Sequence, residues 1–493
     1  MRKDLMRERS SRGVAAYRPL PTAFQSGSIT LLVLIFSGIF FAVLTALSGY
    51  ILSQNRIQNV TRIRAEALSV AEAGLEYYRW HLAHFPTDLT NGTGQPGPYA
   101  IPIPDPSGGT AGTASLTITA NTACGQTTSI DIASKGEAAD GASQPVTVIA
   151  RYAEQSIASY DFVSNASVWI GSSDTVNGPY HSNNGVRMDG TTNAPISSSV
   201  STWTCTSSFG CSPSSTEPGV FGSGNNQNLW QFPTPTIDFA GIAANFTTLK
   251  SIAQTDGIYL PRYSSGNSRS TAYHKGYLLD FNSDGSVSIY KVQPRALSNV
   301  YLLDSNTYGS DYALIGNQAF YETATIPVTC GLIFVEDNAW IEGTVPAKVT
   351  VVVANVSSAN VTPDAFLPNN ITYAKADGTD GLTVIAAHDI LITPNSPTNL
   401  TLDGIFVAQS GVFGRNYYGY AGYGYEPRGT LTMVGSTVSA LQAAETYVDN
   451  YGNPIGGYAN TIDYPDRMLA TDPPPFTPVL SADYKFVDWQ EAQ

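Results

Sequence analysis

The stretch from Gly27 to Leu82 constrains this chain more than any other. It opens with an uncharged apolar run from Ile29 to Leu52. That is about 24 residues, enough to cross a bilayer as a helix. No turn ends the run. It continues through Ser53-Gln54-Asn55-Arg56 into residues 63–82, where Leu68, Ala71, Leu75, Tyr78 and Leu82 recur at 3-4-3-4 spacing. That spacing is one face of a helix. Neither proline nor a glycine pair interrupts the segment. The pattern predicts a single long helix, membrane-spanning over 28–52 and amphipathic over 53–86.

What precedes the helix matters as much. Residues 1–26 carry Arg2, Lys3, Arg7, Arg9, Arg12 and Arg18 against Asp4 and Glu8, and they run directly into Gly27. Basic residues before an anchor place the N-terminus inside and the bulk of the chain outside. Arg56, Arg62 and Arg64 follow the anchor and weaken that asymmetry. A secretory signal peptide would be cut after its apolar region, and Ser48-Gly49 could mimic such a site. A basic leader ending in Gly just before the apolar run instead resembles a prepilin-type signal. That resemblance implies a leader over 1–27, cleavage between Gly27 and Ser28, and a helix retained on the mature protein.

The helix that follows carries Ala65-Glu66-Ala67 and Ala71-Glu72-Ala73-Gly74-Leu75-Glu76. These elements resemble the N-terminal region of PilX-type minor pilins and related type IV pilin-like proteins. The likeness covers residues 27–82 as a pattern. It implies a subunit that binds the membrane and other pilin-like subunits through this helix. Counted from Ser28, the fifth mature residue is Leu32. Most pilins carry Glu there, pairing with the amine of the next subunit, and a carboxylate in hydrocarbon is costly unless paired. In resembling proteins, subunits without that Glu sit at a tip or cap; Leu32 also fits a subunit that never enters a filament.

The chain has 493 residues with 44 Gly and 30 Pro, only 13% charged residues and a formal net charge of −14. The leader accounts for a net positive share, so the remainder is more acidic still. This argues against nucleic-acid binding, which needs basic patches. Four cysteines, Cys124, Cys205, Cys211 and Cys330, suit an oxidising compartment. Cys205 and Cys211 flank a short loop and are a candidate disulfide. Whether Cys124 pairs with Cys330 stays open at this point.

After Pro86, residues 87–112 are rich in Pro, Gly and polar residues, a loop signature. Strand patterns follow at 114–120, 129–134 and 145–152, and the last alternates Val146, Val148 and Ala150 on one face. A small β domain over 87–155 packed on the amphipathic helix is the pilin-like arrangement that the resemblance implies. Over 156–440, short apolar runs separated by Gly, Asn and Asp recur without strict period. Examples are 331–345, 348–354, 382–392, 400–408 and 429–438. The fold class expected is α+β: the long helix, a small antiparallel sheet, then a mainly-β ectodomain. A right-handed parallel β-helix is expected for the ectodomain, with a β-sandwich as the alternative. Residues 220–300 are expected to interrupt the repeats, with helical spacing over 239–253 and a hairpin over 277–290. Residues 441–493 read as an extended tail.

Few motifs carry chemistry. Asp280-Phe281-Asn282-Ser283-Asp284-Gly285 begins like a calcium loop, but Lys291 stands where a bidentate Glu is needed. His181 and His388-Asp389 sit in turns. No catalytic residues, cofactor site or metal site are assigned, and the expected role is structural: a minor pilin or pseudopilin-like subunit, at the filament tip. The alternative is a membrane-anchored β-helix enzyme acting on polysaccharide, with Asp377, Asp380 and Asp389 as its candidates. One surface signal stands out, Asn416 to Tyr425. Tyr417, Tyr418, Tyr420, Tyr423 and Tyr425 offer flat apolar faces with polar tips, suited to contact with a glycan or protein. The other reading is an aromatic loop packed on its own body.

Overall fold

A computed structural model describes residues 27–139, 144–240, 244–266, 270–358, 361–419, 422–449 and 453–492. Helix α1 runs from Gly27 to His84. The leader 1–26 lies outside the described residues. The chain divides into two compact units, one ending at Glu66 and the other beginning at Ala67. In the first unit, the apolar side chains from Ile29 to Leu52 are exposed, Leu32 among them. This helix is long and apolar enough to cross a membrane.

In the second unit, the last turns of α1 are covered by an antiparallel sheet. Its strands are β1 (Tyr99–Pro104), β2 (Thr110–Ala123), β3 (Gln126–Ala138) and β4 (Val146–Ser156), followed by Val479–Glu491 paired against β4. Ala71, Leu75, Tyr78 and Leu82 pack with Leu116, Ile130, Ile132, Val148 and Ala150, so the helical stripe is a core face. The small residues of the Ala71–Gly74 element have a steric cause. A β-carbon on Gly74 would overlap Ala114 and Ser134, and one on Gly136 would overlap the backbone of Ala67 and Ala71. Helix and sheet approach at backbone distance. β2 and β3 are joined by Cys124-Gly125, both at positive φ (52° and 71°). A two-residue hairpin turn with both centres left-handed matches the strand twist.

After β4 the chain enters a large β-rich domain of mixed parallel and antiparallel pairing. One parallel ladder runs Ile258–Leu260, Leu332–Val335, Lys348–Val353, Gly381–Ala386, Leu400–Ala408 and Arg428–Ser439. It then continues out of chain order. Phe162–Ser164 pairs with Arg428–Ser439, and Tyr180–Ser182, Ile196–Ser198 and Trp230–Gln231 follow. The first-synthesised strands therefore extend the end of the ladder that the last strands complete. Residues 220–300, expected as an interruption with a helix and a hairpin, hold the helix Phe246–Thr255 and the antiparallel pair Gly276–Phe281 and Ser286–Pro294, and Trp230–Gln231, Ile258–Leu260 and Gly276–Phe281 also join parallel pairings. Strands of two or three residues are too short to declare themselves by periodicity.

The middle strands are buried on both faces, which accounts for near-continuous runs such as Val349-Thr350-Val351-Val352-Val353. Val349, Val351, Leu382 and Val384 face the main core. Phe334 and Val352 face a second cluster with Leu249 and Ala253, from the helix Phe246–Thr255. The C-terminal residues, expected as an extended tail, cover part of the same outer side. Pro475 accepts from the Thr350 hydroxyl, and the hydroxyls of Thr477 and Thr383 share a hydrogen bond of 2.6 Å. Residues 454–464 form a strand on Arg428–Ser439. Asp284 in the calcium-like stretch accepts from the amide and hydroxyl of Ser286, the work of a hairpin turn with Gly285 at φ 94°.

Candidate functional site

The densest cluster of ionisable groups lies at one turn edge of the ladder. Ala365 pairs with Ile390 in parallel register. Asp364 and Asp389, each one residue earlier, therefore occupy equivalent places on neighbouring strands, about 4.8 Å apart by sheet geometry. Two stacked carboxylates repel. His388 relieves this: its Nδ1 is 2.8 Å from Asp364 Oδ1 and 3.5 Å from Asp389 Oδ2. The Val412 amide donates to Asp389 Oδ1 at 2.8 Å. Asp389 is only 3% exposed. Asp304 joins from outside the ladder, on the turn between Leu297–Leu302 and Thr307–Asp311. Ligand atoms of Asp304, His388 and Asp389 lie within 4.8 Å of one another.

The charges follow from the packing. The hydrogen bond to Asp364 raises the His388 pKa against the cost of burial, with the Asp364 and Asp389 charges adding to it. Burial raises the Asp389 carboxyl, and the Asp364 charge pushes it the same way. The arrangement can hold a proton between carboxylates or a cation among them. Sequence reasoning placed His388-Asp389 in a turn and missed Asp304 and Asp364. One signal was there: Asp364 and Asp389 each directly precede an apolar strand.

A second acidic group lines a cavity of about 40 Å³ with Asp174, Glu445, Asp463, Tyr180 and Thr461. Nearby Asp161 is 3% exposed, and among the described residues only the Gly178 amide offsets the cost of its burial. Burial pushes Asp161 up to about 7 and Glu445 up to about 8.

The tyrosine segment is mounted on the hairpin Leu297–Asp311. Tyr301 and Tyr417 exchange backbone hydrogen bonds at 3.1 Å. Tyr418 is not at the surface, which corrects its place among the contact residues. It is 1% exposed and donates to the buried Asp311 at 3.3 Å. The buried Arg415, itself donating to Pro394 and Tyr425 carbonyls, lies 5.0 Å from the Tyr418 ring centre. Tyr423 bonds the Ser298 backbone through its hydroxyl. Tyr417, Tyr423 and Tyr425 are half-buried, and Tyr420 lies outside the described residues.

The remaining expected residues fall in separate places. Gly27 and Ser28 begin α1. Cys205 and Cys211 are joined in a disulfide, as are Cys124 and Cys330. His181 is buried between Ser197 and Asn183, and burial lowers its pKa. Asp377 serves a turn at Thr379, and Asp380 accepts from the Lys375 amide.

No protein-family model matches the chain, and no curated protein matches it. Among solved structures, it is similar to the competence-associated pilin ComZ from Thermus thermophilus, with 13% identity, 87% of this chain and 97% of that chain covered, and a TM-score of 0.33. A likeness of that size decides neither fold nor function.

Proposed function

We propose that this chain is a structural, non-catalytic subunit of a type IV pilin-like filament system, a minor pilin or pseudopilin-like protein at the filament tip. The observation that carries the reading is the way the sheet on α1 is built. The chain leaves it after β4 and returns as its fifth strand, Val479–Glu491. The large domain is thus an insertion in the head sheet of a helix-plus-sheet unit, and the helix continues N-terminally into an apolar segment. The in-register parallel ladder supports a β-helix for that insertion over a sandwich of antiparallel sheets. Two disulfides support a periplasmic or extracellular head.

The tip placement rests on size and on Leu32. Filament subunits bundled by their helices rise by small steps, at 1.5 Å per helical residue. A head of roughly 400 residues has a compact radius of gyration near 21 Å. Repeated at every step, such heads collide, whereas one at the end has free space. Leu32 needs no partner amine above it. A role in contact with an external glycan or protein is kept for Tyr417, Tyr423 and Tyr425. Immunogold labelling of the head on isolated filaments tests the placement. Label at one end is the expected result, and regular label along the shaft would refute it.

A further inference from the structure

We propose that Asp304, His388 and Asp389 form a binding site for one divalent transition-metal ion of the zinc or manganese class, with Asp364 positioning the imidazole. The three donors come from sequence positions far apart, a hairpin turn and a ladder edge, yet their ligand atoms all lie within 4.8 Å of one another. Ligands about 2.0–2.2 Å from zinc stand about 3–4 Å from each other, so a common ion would draw these donors together by up to about an ångström.

Charge is the first reason for a cation. Three carboxylates surround one imidazole, so even a protonated His388 leaves the group negative. Among the described residues, no lysine or arginine forms an ion pair with any of the four. The second reason is burial. Asp389 is 3% exposed; its Oδ1 accepts from the Val412 amide, and its Oδ2 lies 3.5 Å from His388 Nδ1. A buried carboxylate is costly unless its charge is balanced, and a metal ion supplies that balance.

The donor chemistry sets the class. One imidazole nitrogen with two carboxylate oxygens suits zinc or manganese, whereas calcium and magnesium take oxygen ligands. Asp364 stands where metal-binding histidines keep an orienting carboxylate. The consequence is mechanical. Asp304 sits on the hairpin that mounts Tyr417 and Tyr423, so the ion fastens the tyrosine segment to the ladder.

The test uses the untagged full-length protein in detergent, stripped with a chelator. Zinc, manganese and calcium are each titrated by calorimetry, and cobalt(II) binding is followed by its visible absorption. Asp304→Asn is the diagnostic variant. It keeps the oxygen that accepts the Ser305 amide at 2.6 Å, so the turn survives, but it weakens a ligand. His388→Gln is the second, and circular dichroism checks both folds. Expected is one equivalent of zinc or manganese, calcium binding much weaker, and affinity falling tenfold or more in each folded variant. No saturable binding, or affinity unchanged in Asp304→Asn, overturns the site.

Discussion

Gly136 lies directly beneath the backbone of Ala67 and Ala71, so close that a β-carbon there would overlap the Ala67 carbonyl oxygen and crowd the Ala71 amide. This contact sets how near the helix can come to its sheet. Backbone cannot swing aside as a side chain can. Gly136→Ala should therefore destabilise the head by about 1–3 kcal/mol or more. The measurement is the denaturant midpoint of the detergent-solubilised protein. Gly125→Ala, in a turn with open space around it but φ of 71°, should cost only its backbone strain, about 1 kcal/mol.

The two disulfides should differ in worth. Cys124 and Cys330 are 206 residues apart, while Cys205 and Cys211 are 6 apart. Closing the longer loop removes more entropy from the unfolded chain, by about 3 kcal/mol on the logarithmic dependence. Replacing both Cys124 and Cys330 by Ser should lower the melting temperature far more than replacing Cys205 and Cys211. Equal losses would show that loop length is not the source.

Two buried carboxylates should make stability fall as pH rises between pH 5 and pH 9. Asp161 and Glu445 titrate near 7 and 8 in the folded chain, above an unfolded carboxylate value of about 4. Groups raised in this way bind more protons when folded. Their contribution is fully present below the unfolded value and is lost as pH passes through about 7 to 8. Asp161→Asn carries no charge to bury, so it should flatten the decline between pH 5 and pH 9. Melting curves across that range read the difference from the parent protein.

Processing gives the fourth expectation. Protein isolated from native membranes should begin at Ser28, and Gly27→Leu should leave the leader attached. N-terminal sequencing reads both. A mature chain starting after Ser48-Gly49, without the apolar run, would remove the basis for the filament reading.

The helix was legible in the sequence because its information is local. An uninterrupted apolar run and a 3-4 stripe specify a helix and its buried face without reference to the rest of the chain. The small sheet followed for a similar reason, since β4 alternates over a full strand. The tyrosine segment shows where local reading ends. Composition singled it out, but burial of Tyr418 against Asp311 depends on a hairpin more than a hundred residues earlier. The ladder goes further. Strands such as Phe162–Ser164 form parallel backbone hydrogen bonds that any short apolar strand could form, so nothing in those three residues names Arg428–Ser439 as their neighbour. Only side-chain packing across the whole body selects such registers, and another of them, Ala365 against Ile390, stacks Asp364 on Asp389. Sequence determined the elements with long, periodic patterns; tertiary structure decided the order of the short ones and the cluster that depends on it, because pairing energy in a ladder is shared among neighbours distant in the chain.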